Sequence, residues 1–153
     1  GKPTTLGIAS GAVAGLVAIT PAAGFVGPIS SVIIGLGAGA LCYFAVLAKH
    51  SFGYDDALDV VGVHCVGGIW GAIATGLFAS KAINAAGSDG LFFGNPGQLW
   101  TQIVAVLVTM AYSFIVTLII LYIIKAIMGV RVSEENEFVG CDTSEHGETA
   151  YNI

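Results

Sequence analysis

The sequence predicts an all-α polytopic membrane helix bundle with four transmembrane helices, on three observations. Of 153 residues, 56% are hydrophobic and 10% charged, and the mean hydropathy is +0.87. A soluble domain carries roughly 25% charged residues, so an ordinary soluble fold is excluded. The charges are also gathered: none falls between Lys2 and Lys49, between Asp59 and Lys81, or between Asp89 and Lys125. A hydrocarbon core of about 30 Å takes about 20 helical residues to cross. The first uncharged stretch therefore has room for two crossings and each of the others for one.

The first span is expected over residues 4–20, where Pro21 stops it, and residues 21–28 (PAAGFVGP) make a tight Pro/Gly connection. The second follows over 29–48. A polar link from Lys49 to Asp56 leads to the third, over 57–79. Residues 80–97, rich in Gly, Asn, Ser and Pro, form the longest loop. The fourth span runs over 98–128, roughly 46 Å of helix at 1.5 Å per residue, so it must tilt or project beyond the hydrocarbon. The transmembrane region is thus 1–128, and 129–153 is a tail.

Four crossings put both ends of the chain on one side with the link between spans two and three. Lys2, Lys49, Lys125 and Arg131 share that side against Lys81 alone, which makes it cytoplasmic by the positive-inside bias. Trp100, Phe92 and Phe93 then fall at the outer interface. The formal net charge of -5 comes from the tail, which holds Glu134, Glu135, Glu137, Asp142, Glu145 and Glu148. Five scattered basic residues make no nucleic-acid patch. Cys42, Cys65 and Cys141 lack metal-ligand spacing, and Cys42 and Cys65 read as small apolar fillers. No metal or cofactor is expected. No cleavable signal peptide is visible, and the missing initiator Met predicts a piece of a longer chain.

Glycines recur every fourth residue in span one (Gly7, Gly11, Gly15), span two (Gly35, Gly39) and span three (Gly67, Gly71). Such ladders let helix backbones approach closely. Span four has none between Leu99 and Met128 and reads as a lipid-facing helix.

His64 is the residue most suggestive of chemistry. It lies about 10 Å of helix inside the expected start of span three, where ionisable groups are costly and by default functional. Desolvation favours the neutral imidazole, with one nitrogen donating and the other accepting. Asp59, nearer the edge, either attracts cations at a pathway exit or caps the helix N-terminus; Asp55 and Asp56 read as simple first-turn or pre-helix acids and are assigned no chemistry. Val60 is four residues from His64 and shares its helix face. A pathway along that face is greasy, which argues against a hydrated ion conduit and for a small, neutral, weakly polar cargo. Trp70, Tyr43 and Phe44 read as packing residues, and Thr20 as bonding its own helix backbone.

Lys2-Pro3-Thr4 with Leu6-Gly7 and the run Ala9 to Gly24 (ASGAVAGLVAITPAAG), then Asp55-Asp56-Ala57-Leu58-Asp59-Val60 with Gly62-Val63-His64, resemble the ammonium transporter (Amt/Mep/Rh) family. The tail Ser144-Glu145-His146-Gly147-Glu148-Thr149-Ala150-Tyr151 is similar to that family's cytoplasmic C-terminus. The resemblance implies a homotrimer of eleven-span subunits, each with its own narrow pore, of which this chain corresponds to the last four spans and the tail. It further implies that His64 is one of two paired pore histidines, that Val13 and Val60 line the hydrophobic lumen, and that Asp59 stands in the inner vestibule. Cys65 and Val61 depart from the usual family residues.

On this resemblance the protein is not an enzyme. It moves ammonium, or its analogue methylammonium, across the cell membrane, the cargo giving up its proton at the pore mouth and crossing as ammonia. The alternative is a non-transporting ammonium sensor of the same fold; the absence of a signalling domain after the short tail favours transport. The resemblance also gives Glu145, His146, Gly147, Glu148 and Tyr151 a regulatory role and brings in a PII-type nitrogen regulatory protein as candidate partner at the cytoplasmic face.

Overall fold

Thr4 opens the first helix by accepting the Gly7 amide on its Oγ1 at 3.1 Å, satisfying one of the orphan donors of a helix start. Helix α1 then runs Thr5–Ile19 and tightens into a 3-10 turn, Thr20–Ala22, at Pro21. The Thr20 hydroxyl donates to the Leu16 carbonyl at 2.7 Å, within its own helix as expected. Gly24, with φ +81°, reverses the chain, and Pro28 at the first position starts α2, Pro28–Phe52. This helix passes the expected end at residue 48. Nothing before Gly53 can stop it, and Gly53 does so at φ +66°, its amide donating to the Lys49 carbonyl.

The third helical segment begins later than the expected residue 57. Asp56 to Asp59 form a turn, with the Asp59 amide donating to the Asp56 carbonyl at 3.1 Å. A π-helical turn, Val61–Cys65, follows and continues as α3, Val66–Phe78. The connection after it is held by the Lys81 amide on Asp89 Oδ1 at 2.8 Å and ends in a 3-10 turn, Leu91–Phe93. Helix α4, Pro96–Ile127, has 32 residues and none of them is buried. Two short helices, α5 (Glu134–Val139) and α6 (Cys141–Ser144), complete the order. These elements come from a computed structural model that describes residues 2–149, among which there is no strand.

Among the described residues four helical stretches are long and apolar enough to cross a membrane, with mean hydropathies of 1.6, 2.1, 1.5 and 2.6 in chain order. The chain forms two compact units, the first ending at Thr109 and the second beginning at Met110, so α4 runs from one into the other.

In the first unit α1, α2 and α3 enclose a core of small residues. Ala18, Ala22, Val26, Ile34, Ala38 and Ala74 form one cluster and Ala14, Cys42 and Val63 another. Ile34 is the one large side chain fully enclosed among the described residues. The close approach is made by glycine, chiefly that of α3. A Cβ on Gly71 would sit 2.1 Å from the Ala18 carbonyl oxygen, and one on Gly76 would sit 2.8 Å from Leu99 Cα. Gly37 of α2 receives the Trp70 ring, whose Nε1 donates to the Ile34 carbonyl at 2.9 Å. The expected ladders of the first two spans behave differently. Gly11, Gly15, Gly35 and Gly39 meet nothing within 4 Å, so their faces are turned away from this core. Cys65 is likewise exposed, while Cys42 is buried as a filler.

The Gly71 contact is between backbones and cannot yield by a rotamer change. Gly71→Ala is therefore expected to destabilise the protein by about 1–3 kcal/mol, the usual cost of overpacking. A lowered midpoint of thermal unfolding in detergent is the readout; an unchanged midpoint would mean that α1 and α3 do not meet there.

Candidate functional site

The turn that feeds the π-helical segment is fixed by three polar groups. Asp56 spreads its carboxylate over two amides, Oδ1 accepting from Val60 at 2.8 Å and Oδ2 from Val61 at 2.9 Å. It thereby satisfies two orphan donors of a helix start and places negative charge at the positive end of the dipole. Lys49, in the last turn of α2, pairs with the Asp59 carboxylate and also donates to the Asp56 carbonyl oxygen at 2.8 Å. Asp59 has φ +55°, alone among the described non-glycine residues in that region. Capping, one of the two roles open to Asp59 in the sequence, thus belongs to Asp56, in keeping with its expected place as a pre-helix acid. Asp59 is instead an ion-pair partner.

The π-helical turn packs on α2. Gly62 lies against Val46, where an added Cβ would come within 2.6 Å of Cγ2, and the Cys42 thiol donates to the Val63 carbonyl at 3.7 Å. Gly62 and Val63 are buried; His64 and Cys65, next along the same turn, are exposed. Val60 is 48% exposed and Val13, on α1, 40%. His64, Val13 and Val60 thus all stand outside the small-residue core of the first unit.

Beside the turn, an open groove of about 500 Å³ lies between the start of α1, α2 and residues 57–59. Thr4, Ser10, Tyr43 and Asp59 supply its polar wall, and Ala14, Val46 and Val63 its apolar floor. Of the residues singled out from sequence, Asp59 lines this groove and His64, Val13 and Val60 do not. Among the described residues no three His, Cys, Asp or Glu side chains gather as a metal ion would require.

The tail is knotted to itself. Ser133 caps α5 by accepting the Asn136 amide at 3.2 Å, and Asn136 Nδ2 donates to Glu145 Oε1 at 2.7 Å, linking α5 to the end of α6. The Glu148 amide donates to the Asp142 carbonyl at 2.8 Å, and Gly147 makes the intervening reversal at φ +65°. His146 is exposed, and Tyr151 lies outside the described residues. Arg131 donates from Nε and Nη2 to the two carboxylate oxygens of Glu137, at 2.6 and 2.8 Å. This fork holds the Glu137 carboxyl below the usual carboxylate range.

Compared with known proteins, residues 1–151 match the profile of the Ammonium Transporter Family. The chain is 55% identical to an ammonium transporter of Bacillus subtilis over 98% of its own length and 37% of that protein's. It is 56% identical to one of Aquifex aeolicus over 100% of its own length and 36% of the other's. Among solved structures, Saccharomyces cerevisiae Mep2 superposes with a TM-score of 0.80 at 40% identity, over 88% of this chain and 31% of that one. The chain therefore spans about a third of the length of the relatives it matches.

Two outcomes follow from the geometry. Asp56→Ala removes both capping bonds and is expected to cost about 0.5–2 kcal/mol, read as a lower unfolding midpoint; a wild-type midpoint would count against the cap. Because its pKa is depressed in the folded tail, Glu137 contributes stability above the ordinary carboxylate pKa and loses that contribution as pH falls through the lowered value. A carboxyl-carbon NMR titration should place its midpoint below the ordinary glutamate value, and Arg131→Gln should raise it.

Proposed function

Since the chain belongs to the ammonium transporter family, we propose that it supplies one wall of a pore that carries ammonium across the cell membrane, the cargo crossing as ammonia. What carries this reading is identity of about half, over nearly the whole chain, to proteins named ammonium transporters. Transporters, not enzymes, are what those relatives are called.

The physical logic is one of solvation. A bare cation is prohibitively costly to move past apolar side chains in the membrane, whereas a neutral molecule needs only a hydrogen-bond partner. In this proposal ammonium sheds its proton at the outer mouth, Val13 and Val60 form part of the greasy lumen, and His64 offers the partner near its middle. The exposure of all three residues from the small-residue core supports this role. Chain outside this sequence would close the opposite wall, and three copies would assemble as a trimer. Asp59 stands at the inner vestibule with its charge already balanced by Lys49. The ends of the chain face the cytoplasm, where Glu145, His146, Gly147, Glu148 and Tyr151 belong to a regulatory tail and a PII-type protein is the candidate partner.

The test is uptake of ammonium and methylammonium by the native protein carrying this sequence, in proteoliposomes or on a solid-supported membrane. His64→Ala is expected to lower uptake about tenfold or more, the worth of one hydrogen bond in apolar surroundings. Saturable binding without any uptake in the unmutated protein would replace transport by sensing.

A further inference from the structure

We propose that Lys49 is a positioning residue for His64: by clamping the Asp56–Asp59 turn to the end of α2, it sets the bearing of the π-helical turn that presents the imidazole. The inference rests on the transport role given to His64 above and adds a residue to which that role assigns nothing.

The turn is a conformation that must be held. Asp59 occupies the left-handed region, at φ +55°, which persists in a non-glycine residue only when its surroundings enforce it. Lys49 reaches both ends of the turn, bonding the Asp59 carboxylate at one and the Asp56 carbonyl oxygen at the other. The same two residues lead directly into the helix, since Asp56 also carries the Val60 and Val61 amides. Any relaxation of the turn therefore passes to the first residues of the π-helical segment.

That segment is gripped along α2, while Ala14 of α1 packs beside Val63. Cys42 bonds the Val63 carbonyl, Val46 receives Gly62, and Lys49 closes the turn. These α2 residues are four and three apart and so share a face, a single cradle along one helix. The Lys49 side chain is only 16% exposed and that of Asp59 33%. Pairs so placed contribute little net stability, because desolvation offsets attraction; what this one does is tie the turn to α2. π-helical turns inside longer helices are frequent at functional sites.

The experiment is uptake of radiolabelled methylammonium by the native protein in proteoliposomes, with protein in the membrane quantified for each variant. Lys49→Met is expected to lower the maximal rate about tenfold while the half-saturation concentration stays within about twofold, the pattern of a lost contribution after binding. Lys49→Arg should recover more than half of the rate. The neutral pair Lys49→Met with Asp59→Asn should stay low, since it removes the clamp as well as the charge. Should Lys49→Met not reach the membrane, Asp59→Asn replaces it with the same expected pattern. Wild-type rates in Lys49→Met, recovery in the neutral pair, a change in half-saturation alone, or no recovery with Lys49→Arg would each overturn the proposal. If the unmutated protein takes up nothing, the transport reading falls and this one with it; a normal Lys49→Met beside an inactive His64→Ala overturns this one alone.

Discussion

The first unit depends on the bare backbone of its third helical segment. At Gly71 the Ala18 carbonyl occupies the space a side chain would need, at Gly62 it is Val46, and at Gly76 the start of α4. Lipid gives apolar helices no reason to leave it for one another, so association rests on the dispersion contacts and geometry that small residues allow. A core of Ala14, Ala18, Ala22, Ala38 and Ala74 extends the same logic to the facing helices. Side-chain bulk is spent outside, where Val13, Val60 and nearly all of α4 are exposed.

This economy explains what could and could not be read from the residues alone. The number of apolar helices follows from hydropathy and from where charges are absent, and Pro21, Gly24, Pro28 and Gly53 act as punctuation that needs no tertiary information. Which glycines touch a neighbour was not legible. The ladders of α1 and α2 look the same in sequence as the glycines of α3, yet Gly11, Gly15, Gly35 and Gly39 face open space. An inward face shows itself by contrast between apolar and polar residues, and helices apolar all round have no such contrast.

The candidate site residues were legible in composition, and the roles of the neighbouring acids less so. His64 and Asp59 stand out as ionisable residues beside an apolar run, and the likeness to ammonium transporters needs only the linear motif. The division of labour among the acids is different: Asp56, four and five residues ahead of the amides it bonds, caps the helix, and Asp59 turns toward Lys49. No spacing rule separates those two roles, because the choice is made by a left-handed residue and by a lysine ten positions upstream. The π-helical turn is equally silent in a stretch where every neighbour is apolar.

That wider turn has a consequence for how this region tolerates changes of length. A π turn amounts to an α-helix carrying one surplus residue, absorbed locally so that the chain on either side keeps its direction. Excising a single residue from Val61–Cys65 would let ordinary pitch return, with the acid cap upstream and the glycine seam downstream left in register. Only the side chains displayed outward would rotate, by about 100° for each residue of pitch. Substitution here changes which side chain is displayed, whereas deletion changes where it points.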